Sequence, residues 1–146
     1  MNDLLSYLSP RLPQSLCLLE KMVSMESPSF DKALTDQFAR FVGSQFSAIG
    51  GEVDYVATER FGDHLRIGFK GNSPDRILLL GHTDTVWPAG ETAKRPFRIE
   101  NGKAFGPGVF DMKAGILLMY MAAEAIKIVR GEFARSVTML LTSDEE

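Results

Sequence analysis

The chain has 146 residues, with 16 Lys and Arg against 19 Asp and Glu, a formal net charge of −3. Its 45% hydrophobic, 10% aromatic and 24% charged residues are those of an ordinary globular chain, which excludes disordered, collagen-like and disulfide-built classes. A weak negative charge without Lys/Arg blocks gives no footprint for a polyphosphate backbone, so no nucleic-acid partner is expected, and a lone Cys17 cannot close an internal disulfide.

The first ten residues lack a basic and then apolar leader pattern, and the longest apolar run, 114–123, falls short of the ~20 residues a spanning helix needs. A cytoplasmic chain without membrane contact is the expectation. Leu4 to Leu8 reads as a short helix, and Pro13 opens a second through Leu16, Leu19, Met22 and Met25, a Leu- and Met-rich helix that would carry Cys17 into the core. Ser27-Pro28-Ser29 stops it. From Asp31 to Ile49, the apolar residues Leu34, Phe38, Phe41, Val42, Phe46 and Ile49 recur at steps of three and four, and Gly50-Gly51 supplies the exit: a half-buried helix.

Alternation at Val53, Tyr55 and Ala57, and again at Leu65, Ile67 and Phe69, predicts two strands of a half-exposed sheet. Turn residues 71–75 follow. The unbroken apolar run 76–81 then reads as a strand covered on both faces of a parallel sheet. Residues 85–109, with three prolines and four glycines, read as a long loop facing a substrate. Asp111 to Arg130 reads as a long helix closed by Gly131, and 136–142 as a second buried strand. Strand, helix, strand in that order is a βαβ unit, whose ligands gather beyond the carboxyl ends of its strands.

The polar residues at those ends carry the chemistry. His82 and Asp84 are two apart in extended chain and share a side, which suits a metal-binding imidazole steadied by a carboxylate, or equally a solvated surface pair. Asp111 is either a helix N-cap or a ligand. Asp144, Glu145 and Glu146 form either a solvated acidic turn or a pair in which one Glu holds a metal while the other serves as general base. Together they suggest a divalent site, Zn²⁺ first and Co²⁺ or Mn²⁺ next. His64, inside an alternating strand, reads as structural, and Trp87-Pro88 as a pocket wall or a loop anchor. Phosphate-loop patterns and a GxSxG elbow are absent.

Gly81-His-Thr-Asp-Thr-Val86, Pro96-Phe97, Gly106-Pro-Gly-Val-Phe-Asp-Met-Lys-Ala-Gly115 and Thr142-Ser-Asp-Glu-Glu146, in this order and spacing, resemble the M20 family of metallopeptidases, its glutamate carboxypeptidase branch most of all. The resemblance implies an α/β zinc-exopeptidase (phosphorylase/hydrolase-like) fold, a mixed sheet with flanking helices, of which residues 1–146 would be the N-terminal part of the catalytic domain. It further implies two zinc ions, with His82 and Glu146 as ligands of one each, Asp111 bridging both, and a cis peptide between Asp111 and Met112. Asp84 would clamp His82, and Glu145 would be the general base. The implied reaction is hydrolysis of an amide next to a free carboxylate, in a small peptide or N-acyl amino acid. This chain has Ala114-Gly115 where relatives often carry Gly-Gly. Relatives also continue to a further acidic ligand, a lid or dimerisation domain that makes homodimers, and a distal His, so the fold is expected to be incomplete at its C-terminal side. A second expectation follows: alone, the 146 residues would be a catalytically inactive fragment with an incomplete metal site.

Overall fold

The computed structural model describes residues 2–146. Helix α1 (Asn2–Leu8) runs through a tight 3₁₀ turn, Ser9–Arg11, into α2 (Leu12–Ser24), with Pro13 in its first turn as the sequence requires. Helix α3 (Lys32–Ala48) is capped by Asp31, whose Oδ1 accepts the Leu34 N–H at 3.1 Å. Strands β1 (Glu52–Val56), β2 (His64–Phe69) and β3 (Gly71–His82) follow. A short helix, α4 (Glu91–Lys94), and a hairpin of β4 (Arg98–Glu100) and β5 (Lys103–Phe105) lead to α5 (Ala114–Arg130) and β6 (Phe133–Thr142).

Four strands make one mixed sheet in the order β1-β2-β6-β3, antiparallel except for the parallel pair β3 and β6. Leu65, Ile67 and Phe69 of β2 pair with Leu141, Met139 and Val137 of β6, so all six point to one face. Against that face lie Phe38, Val42 and Phe46 of α3, Ile116 and Leu117 of α5, and Leu19, Met22 and Val23 of α2, all buried in one cluster. Burying a side chain such as Phe46 stabilises the fold by roughly 1.5–3 kcal/mol. It also fixes which face of the sheet the helices cover.

Several expectations are corrected. The 76–81 run is an edge strand, not one covered on both faces: Leu78 and Leu80 are 59% and 64% exposed on the face away from the helices. The expected turn at 71–75 is instead the first part of β3, with a register irregularity between Ser73 and Arg76 that absorbs Pro74. The loop 85–109 contains α4 and the β4–β5 hairpin. Cys17 is exposed, because α2 turns Leu19, Met22 and Val23 to the core instead. The long helix begins at Ala114 and not at Asp111. Asp111 and Met112 have non-helical backbone (φ −121°, ψ 104° and φ −126°, ψ 38°) within a wide turn in which the Lys113 N–H bonds the Gly108 carbonyl at 3.0 Å. No helix among the described residues is long and apolar enough to cross a membrane.

Candidate metal centre

The parallel register pairs His82 with Thr142, so β3 and β6 end together and the residues just past each strand face one another. Thr83 ties the two ends: its N–H and its hydroxyl both donate to the Thr142 carbonyl, at 2.7 and 3.0 Å. His82, Thr83, Asp84 and Thr85 are all buried, and so is Ser143. Polar residues this enclosed must find partners.

His82 finds them on both ring nitrogens. Nδ1 lies 3.1 Å from the Asp84 main-chain carbonyl and 3.5 Å from Asp84 Oδ1, while Nε2 lies 3.0 Å from Asp111 Oδ1 and 3.9 Å from Glu145 Oε2. The carbonyl acceptor makes Nδ1 a donor, so Nε2, which faces the carboxylates, donates to Asp111 when the imidazole is protonated and offers a lone pair to a cation when it is neutral. Burial works against the charged imidazole. The hydrogen bonds to Asp111 and the Asp84 carbonyl, with the charges of both carboxylates, outweigh it and lift the His82 pKa above its ordinary value.

Asp84 reaches further than the imidazole. Its Oδ2 accepts the Ser29 hydroxyl at 2.7 Å and the Glu146 N–H at 3.1 Å, and its Oδ1 accepts the Glu145 N–H at 3.4 Å. One buried carboxylate therefore holds the backbone of both glutamates. Donor atoms of His82, Glu145 and Glu146 all lie within 4.8 Å of one another. Burial, then the charge of Asp111, with Glu145 and Asp84 adding and His82 opposing, raises the Glu146 pKa. Four carboxylates around one imidazole carry negative charge that a divalent cation would neutralise. One imidazole nitrogen among carboxylate oxygens is also a donor set such ions favour. The residues fit a metal.

Each residue singled out in the sequence can be placed. His82, Glu145 and Glu146 converge, and Asp111 reaches His82 from the turn before α5, with its side chain 67% exposed. The helix N-cap reading of Asp111 does not apply, since its side chain caps no helix and its backbone is not helical. The Asp111–Met112 peptide is cis. His64 lies nearby on β2 with Nδ1 3.1 Å from the Ser143 hydroxyl, which donates to the Gly62 carbonyl. Trp87 and Pro88 line a pocket that Glu146 shares.

Two residues escape sequence reasoning. Ser29 was legible only as part of a helix stop, because its bond to Asp84 spans 55 positions. Lys113 is buried, and its ammonium donates to the Met22 carbonyl at 3.0 Å and the Met25 carbonyl at 2.5 Å, capping the C-terminal end of α2, 4.4 Å from the Phe38 ring centroid. Burial pushes its pKa down to about 7 against the pull of Glu26. Its place in the Gly106–Gly115 motif, two residues after Asp111, is the signal that could have pointed to it.

The sequence model of peptidase family M20/M25/M40 matches residues 78–146, the stretch that holds every residue of this cluster except Ser29. Carboxypeptidase G2 of Pseudomonas sp. (strain RS-16) is 29% identical over 99% of this chain and 35% of its own length. Among solved structures, human carnosine dipeptidase 1 superposes with a TM-score of 0.85 over 99% of this chain and 34% of its own, at 16% identity. The M20 family metallo-carboxypeptidase Sso-CP2 of Sulfolobus solfataricus does so with a TM-score of 0.76 over 90% of this chain and 31% of its own, at 18% identity. The chain thus spans about a third of the length of each of these three. The chain shares the fold of these solved structures, and its residues 78–146 are similar to peptidase family M20/M25/M40.

Proposed function

We propose that the protein is a zinc-dependent hydrolase of amide bonds next to a free carboxylate, in small peptides or N-acyl amino acids. In this reading residues 1–146 are the N-terminal part of its catalytic domain. The observation that carries the proposal is the convergence of His82, Glu145 and Glu146 within 4.8 Å at the paired ends of β3 and β6. The M20 match over the same residues supports it.

In this reading His82, Glu146 and Asp111 would hold the zinc, His82 and Glu146 as separate ligands and Asp111 as the shared carboxylate. When bound, the metal supplies Lewis-acid polarisation of the carbonyl and a water acidified toward a pKa of about 7. The remaining work belongs to the chain. Asp84 fixes the imidazole and the main chain of both glutamates, so the donors are in place before substrate arrives. Glu145 takes a proton from the attacking water and returns it to the leaving nitrogen. Its side chain, 59% exposed, is open to both water and substrate.

The test is made on the product of the complete reading frame that carries these residues. Glu145→Gln is expected to keep zinc uptake and to lower turnover of an N-acyl glutamate by about 10²–10⁴-fold. Hydrolysis that survives both chelation and Glu145→Gln overturns the reading.

A further inference from the structure

We propose that Lys113 is the positioning residue for Asp111: its ammonium pins the wide turn from Gly108 to Lys113 to the end of α2 and so sets the Asp111 carboxylate against His82. This inference rests on the hydrolase reading above, in which Asp111 is the shared carboxylate. Asp111 needs such help, because its side chain is 67% exposed and its backbone lies outside any regular helix. A carboxylate on an exposed, irregular turn samples many positions unless the chain beside it is fixed.

The chain that follows Asp111 is fixed twice, on two different elements. Met112 goes to the sheet, where its Sδ accepts the His82 N–H at 3.2 Å. Lys113 goes to the helices. Its Nζ donates to the Met22 carbonyl at 3.0 Å and the Met25 carbonyl at 2.5 Å, and lies 4.4 Å from the ring centroid of Phe38 on α3. The thioether ties residue 112 to the strand end that carries the imidazole, and the ammonium ties residue 113 to a helix end 88 positions away. Between these anchors and His82, Asp111 Oδ1 meets Nε2 at 3.0 Å.

The turn is also shaped around the lysine. Gly108 has a φ of 67°, and a β-carbon there would lie 3.4 Å from Lys113 Cε and 2.6 Å from Thr85 Cγ2. The lysine stem therefore passes close to Gly108, while the Lys113 N–H closes the turn onto the Gly108 carbonyl at 3.0 Å. Glycine tolerates both that backbone and that approach. Stability alone does not account for a lysine here. The residue is 2% exposed, and an ammonium taken from water and given two carbonyls is held at greater cost than an apolar side chain of similar length. What an apolar side chain cannot do is bond both carbonyls at the end of α2, and that bond fixes where the turn sits relative to the helix.

The test compares Lys113→Met and Lys113→Gln with the parent in the product of the complete reading frame, each alone and combined with Asp111→Ala; circular dichroism checks the fold. Zinc affinity, measured by calorimetry, is expected to fall about tenfold or more in Lys113→Met, and by about twofold or less when the same substitution is added to Asp111→Ala. A lysine that only stabilised the fold would lower affinity equally in both backgrounds. That result overturns the proposal, as does unchanged affinity in Lys113→Met. If Lys113→Met does not fold, Lys113→Gln is read in its place, and failure of both to fold makes the lysine a stability residue and overturns the proposal as well. Hydrogen exchange of the metal-free protein separates this inference from the hydrolase reading. The peptide 106–113 is expected to exchange about tenfold faster in Lys113→Met, while those of β2 and β6 keep the parent rate. A parent protein that takes up no zinc removes the hydrolase reading, and exchange then decides on Lys113 by itself: a local rise supports its hold on Asp111, and equal or uniformly raised exchange overturns it.

Discussion

At the scale of single residues, Asp84 does more than its neighbour His82 reveals. Its carboxylate is 3.5 Å from the imidazole, whereas its bonds to Ser29 and to the Glu146 N–H are 2.7 and 3.1 Å. The pairing of His82 with Asp84 was legible from their spacing, and the clamp expected of it is made largely by the Asp84 carbonyl. The part that was not legible is the grip on residues 145 and 146, since a hydrogen bond spanning 61 positions leaves no local pattern. Asp84→Asn replaces an acceptor-only group with one that also donates, so it cannot serve Ser29, Glu145 and Glu146 together. Zinc affinity measured by calorimetry is expected to fall by about 10–100-fold, the usual cost of losing a partner behind a metal ligand. Unchanged affinity would mean that the backbone of 145 and 146 is held by the β6 register alone.

At the scale of elements, α1, α2 and α3 were legible because their periodicity is local. Leu34 to Ile49 delivered α3, and the structure makes Asp31 its cap and not its first residue. β3 was misread for a reason that is equally physical. An apolar run states that a strand is fit to be covered on both faces, and says nothing about whether both covers are present; here Leu78 and Leu80 have none. The start of α5 was misread because Asp111 is a good cap by residue type, while the wide turn from Gly108 to Lys113 is held by contacts to α2 that the local sequence does not contain. Glu26 makes a comparable tie. At the C-terminal end of α2 its carboxylate accepts the Gly90 and Thr92 N–H groups at 2.7 and 2.8 Å and the Thr92 hydroxyl at 2.8 Å, anchoring the start of α4. The Gly90 and Thr92 N–H bonds hold its pKa below the ordinary value. A depressed carboxyl pKa contributes stability that is full above the unfolded value, about 4.3, and is lost as pH falls through the folded value. Urea midpoints measured from pH 6 down to pH 3 are therefore expected to fall less steeply in Glu26→Gln than in the parent chain; parallel curves would show that Glu26 is not linked to folding.

At the scale of the whole molecule, function follows from topology. Placing β3 parallel to β6 puts the residues after both strands at one edge of the sheet, and the chain's chemistry-bearing residues lie there: His82 and Asp84 after one strand, Glu145 and Glu146 after the other, Asp111 before the helix that joins them. The same topology leaves the Leu78–Leu80 face open in a chain that covers about a third of carboxypeptidase G2 and of carnosine dipeptidase 1. The central claim is that this edge is a metal centre organised around His82. The chain holds two histidines, His82 in the cluster and His64 bonded to Ser143, which provides an internal control. The most direct measurement is a calorimetric zinc titration of the parent chain, His82→Ala and His64→Ala. Uptake that is lost in His82→Ala and retained in His64→Ala is the predicted result. Equal uptake by the parent chain and His82→Ala, or loss only with His64→Ala, would contradict the claim.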